Sequence, residues 1–157
     1  MPRILAIDIG EKRTGLAVSS ADARHASALQ VIETKAALGS NKILSDIIKD
    51  FEIAKIIVGL PLLADGSEGQ QARRTRSLAA RLLAADVDCS QRSHHISFTD
   101  NSDTRTIPII FFDERTSSKS AKDAGHSAGL SEKDMRGKLD AHAAAAFLQV
   151  YLDTIDS

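Results

Sequence analysis

Three acidic positions, far apart in the chain, each begin or end an apolar element: Asp8, the Asp113-Glu114 pair and Asp140. Asp8 stands in the run Arg3-Ile4-Leu5-Ala6-Ile7-Asp8-Ile9, which leads directly into Gly10-Glu11-Lys12-Arg13-Thr14-Gly15. A short aliphatic run bounded by turn residues reads as a buried strand. A carboxylate in such a strand loses hydration and needs hydrogen bonds, a counter-charge or a metal ion in compensation. An aspartate near a strand end also caps turns, and this segment alone leaves both readings open. Converging carboxylates repel one another unless a cation sits among them, and an all-oxygen ligand set suits hard ions such as Mg²⁺ or Mn²⁺. Two such ions about 4 Å apart are a standard device for hydrolysing a phosphodiester, one activating water and one steadying the leaving oxygen. Asp8, Glu114 and Asp140 are the candidate catalytic and metal-holding residues, with Asp113 a supporting or water-mediated ligand.

Cations flank these acids. Lys12, Arg13 and Arg115 have the chemistry to grip phosphate oxygens by charge-assisted hydrogen bonds, or to pair with the acids themselves. Asp65-Gly66-Ser67 reads as a turn with Ser67 capping the helix behind it, and the backbone amides of Gly66 and Ser67 are candidate phosphate donors. Arg73, Arg74, Arg76 and Arg81 crowd one helix and read first as a solvated face, second as a patch tracking a nucleic-acid backbone. His94-His95 has no further His or Cys at ligand spacing and reads as surface. His142 follows Asp140 by two residues and so points away from it on a helix. Cys89 has no basic activator beside it except Arg92, so no catalytic role is assigned to it.

The elements that must position these groups follow from hydrophobic spacing. Strands are predicted over about 3–9, 14–20 and 27–33, the first two joined as a hairpin with Lys12 and Arg13 at its tip. Ile43, Leu44, Ile47, Ile48 and Phe51 carry helical spacing, and Ala54–Gly59 is a further strand. A long helix is expected from about Gln70 to Ala85, and a short buried strand over Ile107–Phe112. The polar stretch 88–106 reads as a loop or short hairpin. A helix capped by Ser117 or Ser118 is expected to reach Ala124, followed by a loop over 125–137 and a last helix from Lys138 to Asp153. The alanines after Asp140 let that last helix approach the sheet closely, and its N-terminal end favours an ionised carboxylate. Hairpin and meander first, then alternating helix and strand, predict an α/β fold. Its mixed five-stranded sheet would join an antiparallel three-strand meander to two parallel strands, with helices on both faces. Functional groups in such sheets gather at the carboxyl ends of the parallel strands.

Composition sets bounds. The 157 residues are expected to form one domain. Aromatics are only 4% of the chain, which disfavours a base-stacking platform, and the net charge of −1 disfavours sequence-independent coating of DNA. No apolar stretch approaches a membrane span, the N-terminus lacks a leader pattern, and one cysteine excludes an internal disulfide. A cytoplasmic location is the expectation.

The hairpin Asp8–Ala17, the segment Val58-Gly59-Leu60-Pro61-Leu62 with Asp65-Gly66-Ser67, the strand end Asp113-Glu114-Arg115, and Asp140-Ala141-His142-Ala143-Ala144 through Leu148-Gln149-Val150-Tyr151-Leu152 resemble the YqgF/RuvX family. The four motifs occur in order over almost the whole chain. This resemblance implies a ribonuclease-H-like (RNase H-like) fold related to Holliday-junction resolvases. It further implies a bacterial cytoplasmic nuclease linked to maturing the 5′ end of precursor 16S rRNA, with the family's acids carried to Asp8, Glu114 and Asp140. The sequence departs from the family pattern in the long polar stretch 88–106, and in Ser117 and Ser118 where Thr is common. The rival readings are a resolvase acting on branched DNA, a weakly active nucleic-acid or ribosome-assembly binding module, and a phosphotransferase. The last builds its cleft between two such domains, and this chain holds one. A resolvase needs a dimer to cut two strands symmetrically, whereas an RNA-trimming enzyme can act as a monomer.

Overall fold

The computed structural model describes residues 3–40, 42–83, 94–100, 102–113 and 132–155. The N-terminal apolar runs become β1 (Arg3–Ile9), β2 (Arg13–Ser19) and β3 (Ala26–Glu33), an antiparallel meander. Then come α1 (Thr34–Gly39), α2 (Lys42–Asp50), β4 (Ile53–Leu60), α3 (Gln70–Leu83), the hairpin of β5 (His94–Asp100) with β6 (Asp103–Asp113), and α4 (Glu132–Ile155). The strands form one sheet in the order β3-β2-β1-β4-β6-β5. β4 runs parallel to both β1 and β6, so three carboxyl ends line up along one edge of the sheet. β1 and β4 are central, which is why both read as near-continuous apolar runs.

The pleat sorts side chains onto two faces. Leu5, Ile7, Leu16, Val18, Ile56 and Val58 pack with Leu44 and Ile47 of α2 and with Ala79 and Leu82 of α3. Ile4, Ala6, Ala17 and Ile57 pack on the other face with Ala144, Phe147, Leu148, Tyr151 and Leu152 of α4. Ala6 pairs with Ala17 in register, both are fully buried, and Ala144 belongs to the same cluster. Methyl groups therefore set the separation between α4 and the two strands beneath it. On α3, Ala72, Thr75, Ala79 and Leu82 recur at helical spacing and are buried. That pattern leaves Arg73, Arg74 and Arg81 exposed, but turns Arg76 inward.

The sheet has six strands rather than the expected five. The extra one comes from the polar stretch, where Ile96 is buried and Phe98 half-buried between exposed residues of β5. This alternation is the signature of an edge strand with one wet side. Thr99 and Thr104 share a hydrogen bond between hydroxyls across the hairpin (2.9 Å). Arg105 lies over the Phe98 ring and donates to the Ile53 carbonyl, tying this edge to β4. α4 begins at Glu132 instead of Lys138, because the helix runs through Gly137 at a cost of about 1 kcal/mol. The helix expected over 117–124 lies outside the described residues. No helix among those described is long and apolar enough to cross a membrane.

Candidate active site

Asp8 lies one residue from the end of β1 and is half-buried. Its partner across β2 is Gly15, and continuing the Ile7–Val58 register by one residue brings Gly59 of β4 to its other side. Neither glycine needs its conformational freedom, since the described glycine with positive φ is Gly66. What the two supply is space, because neither neighbour of Asp8 carries a side chain on the face that α4 covers. Both glycines are themselves buried, and of the three residues Asp8 alone presents a side chain on that face. Phe112 of β6 stands on the same face, roughly 9–10 Å away across β4, and meets Tyr151 of α4 edge-on.

The turn after Asp8 is held from beneath. The Gly10 amide donates to the Arg13 carbonyl (2.9 Å), and a Cβ at position 10 would meet that oxygen at 2.4 Å, so only glycine fits. Thr34, the first residue of α1, donates its hydroxyl to the Gly10 carbonyl (2.7 Å) and its amide to the Lys12 carbonyl (3.0 Å). The Thr34 hydroxyl has one proton, already used, so it accepts the 2.8 Å hydrogen bond from Thr14. Both threonines are buried. The sequence reading passed over this pair, whose signal was a hydroxyl in a strand position otherwise filled by aliphatics.

The expected site residues fall out as follows. Lys12 and Arg13 are exposed at the hairpin tip, Arg13 opposite Glu33 of β3. Asp113 ends β6 beside Leu60, and alternation puts it on the face of Phe111, opposite to that of Asp8. Position 140 lies within α4, one turn ahead of the buried Ala144. The Asp140 side chain, Glu114 and Arg115 lie outside the described residues. Among the described side chains, no three of His, Cys, Asp or Glu come together to hold a metal ion.

The loop after β4 is built differently from expectation. The Ser67 amide and hydroxyl both donate to Asp65 (2.9 and 2.6 Å), and the Gly66 amide donates to the Leu63 carbonyl (2.8 Å). Those amides are spent within the turn, and α3 starts at Gln70, so Ser67 is not its cap. The loop is fastened instead by Arg76. Its Nε donates to both carboxylate oxygens of Glu68 (3.0 and 3.1 Å), and its guanidinium stacks on Phe111 at 4.4 Å. Its Nη1 is buried without a hydrogen-bond partner among the described residues. Arg74 pairs with Glu11, joining α3 to the hairpin tip. Of the other groups weighed in the sequence, His95 is exposed on β5 opposite Pro108, His142 is half-buried on α4, and Cys89 lies outside the described residues. The Asp22 carboxyl, in the turn at the far end of β2, is held below its usual range by hydrogen bonds from Ser20 and the Arg24 amide.

With this geometry in view, the chain was compared with known proteins. The family model described as "RuvX: Holliday junction resolvase" matches residues 2–154. A relative from Anaeromyxobacter sp. (strain K), named "Putative pre-16S rRNA nuclease", is 35% identical over 151 residues, 96% of each chain. A relative of the same name from Sulfurihydrogenibium sp. (strain YO3AOP1) is 35% identical over 158 residues, covering 99% of this chain and 92% of its own. In fold, the chain resembles T. thermophilus RuvC solved with a Holliday junction substrate, with a TM-score of 0.56 and 16% identity over 100% of this chain and 97% of that one.

Proposed function

Starting from the RuvX family, to which this chain belongs, we propose that the protein is a divalent-metal-dependent nuclease that processes the 5′ end of precursor 16S rRNA in the cytoplasm. The proposal treats residues 1–157 as one RNase H-like domain. The observation that carries it is the carboxylate of Asp8, at the carboxyl end of a central strand, with glycine on both sides. Glu114, two positions beyond Phe112, and Asp140, one turn ahead of Ala144, are the acids we assign beside it. Asp113 ends β6 on the other face, so its supporting part is assigned only through a bridging water. Asp8, Glu114 and Asp140 would hold two cations, Mg²⁺ or Mn²⁺, which when bound supply an activated water and neutralise charge on the leaving oxygen.

The chain's own contribution is placement. Gly15 and Gly59 put no side chain beside the Asp8 carboxylate, and the threonine pair fixes the turn that presents Lys12 and Arg13. These cations, with Arg115, bind phosphate oxygens flanking the scissile bond and set the strand's register. The Gly66-Ser67 turn contributes shape, since its amides are engaged. A second reading is favoured by the family's own description: cleavage of a four-way DNA junction, which would need two copies of the chain.

The test is cleavage of a precursor 16S 5′-leader RNA and of a four-way DNA junction, each with Mg²⁺, Mn²⁺ or chelator. RNA cleavage that needs the ion is expected, and Asp8→Asn should lower it by more than about 100-fold, beyond the loss seen for a metal site's supporting partners. Ion-dependent cleavage that survives Asp8→Asn would refute the site. Junction cleavage without RNA cleavage would select the second reading, and absence of both would leave a binding module.

A further inference from the structure

On the opposite side of β1 from Asp8, a cavity of about 410 Å³ opens between the hairpin tip and α3. Ile9, Leu63 and Leu78 line it with aliphatic surface, and the side chains of Gln70 and Gln71 stand at its edge. Leu63 is 53% exposed and so offers an aliphatic wall to solvent. It is held there by shape, because it lies against Gly69, where a Cβ would come within 3.0 Å of its side chain. The Arg74–Glu11 ion pair also borders the cavity, and both partners are more than half exposed. We infer that this cavity receives one unstacked nucleobase of the substrate strand, next to the phosphate at Asp8.

The lining matches that ligand. A nucleobase needs apolar contact on its two flat faces and hydrogen-bond partners around its edge. Aliphatic walls provide the first, and carboxamides, which both donate and accept, provide the second. The position matches too: Ile9 and Gly10 follow Asp8 directly, so the cavity opens at the same strand end as the proposed site, and a strand rounding that end would meet both. Arg74 is exposed enough to turn from Glu11 to the sugar–phosphate of the captured nucleotide. Recognition of an unpaired base fits a single-stranded leader better than a fully paired duplex. The inference rests on the nuclease reading and adds the strand chemistry that the same site selects.

The test uses the full chain and 12-nucleotide strands carrying 2-aminopurine at one position, read by fluorescence in chelator so that no cleavage is required. Matching strands carry an abasic nucleotide at that position, and both are made as RNA and as DNA. Wild-type protein should raise the 2-aminopurine signal as the base leaves its neighbours, and should bind the base-bearing strand about tenfold more tightly than the abasic one. Gln71→Trp, an exposed position that fills the cavity, should abolish both the rise and the preference. Gln70→Ala should reduce the preference without adding bulk, and thermal melting checks that both variants fold. Equal binding of base-bearing and abasic strands by wild type, or an unchanged signal in Gln71→Trp, overturns the inference and leaves the nuclease reading standing. Failure of every strand to bind overturns the inference, and the nuclease reading is then decided by the cleavage assay with Mg²⁺ or Mn²⁺.

Discussion

Asp8 has glycine on each neighbouring strand, and space beside a carboxylate is a feature that a single substitution removes. Valine suits a central strand better than glycine does, so Gly59→Val should keep or raise the melting temperature while cutting ion-dependent cleavage by at least about tenfold. A fall in cleavage matched by a fall in melting temperature would show that the glycine is there for packing. Thr34 tests the turn in the opposite sense. Thr34→Ala leaves the Gly10 carbonyl and the Thr14 hydroxyl without their buried partner, and should cost about 1–3 kcal/mol in urea unfolding. Asp8 itself was legible in the sequence because a lone acid interrupts an aliphatic run. The threonine pair was not, because a hydroxyl's partners are set by how β2 and α1 meet, and no local pattern encodes that meeting.

At the level of elements, α3 is an arginine-bearing helix with one arginine on the wrong side. Arg76 joins the loop after β4, through Glu68, to the end of β6, through Phe111. Arg76→Met keeps the apolar stem and removes the bidentate bond. Hydrogen exchange at the Leu63 and Gly66 amides should then quicken about tenfold, because the loop opens more readily, with smaller changes in β1. Unchanged protection would mean the turn holds itself through Asp65 and its own backbone hydrogen bonds. The helical spacing of Ala72, Thr75, Ala79 and Leu82 contained this outcome, since 76 lies beside 72 and 79 on the helix surface. The count of four arginines hid it. β5 was legible only as one arm of a possible short hairpin, for a related reason: only Ile96 and Phe98 report burial, in a stretch whose polarity otherwise signals a loop.

For the molecule as a whole, the net charge of −1 means that affinity for nucleic acid must come from few local cations. If Lys12, Arg13 and Arg115 are the phosphate contacts, the logarithm of the binding constant should fall with the logarithm of salt at a slope of about −2 to −3. A slope steeper than about −6 in filter binding would demand a wider cationic face, with Arg73, Arg74 and Arg81 the first to examine. The antiparallel meander and the two later parallel strands were readable from the succession of elements. The assignment of each acid to a face was not, because it depends on register, where a shift of one residue exchanges the two sides.

Among the larger side chains packed between the sheet and α4, the paired strands β1 and β2 contribute the methyl groups of Ala6 and Ala17 and the helix that of Ala144. Contacts that small act as a shim. Ala17→Val would lift the helix off the strands and carry position 140 away from Asp8, although no residue at either carboxylate had changed. Catalytic fine-tuning in this protein can therefore be written in the sizes of its smallest side chains, well away from the acids themselves.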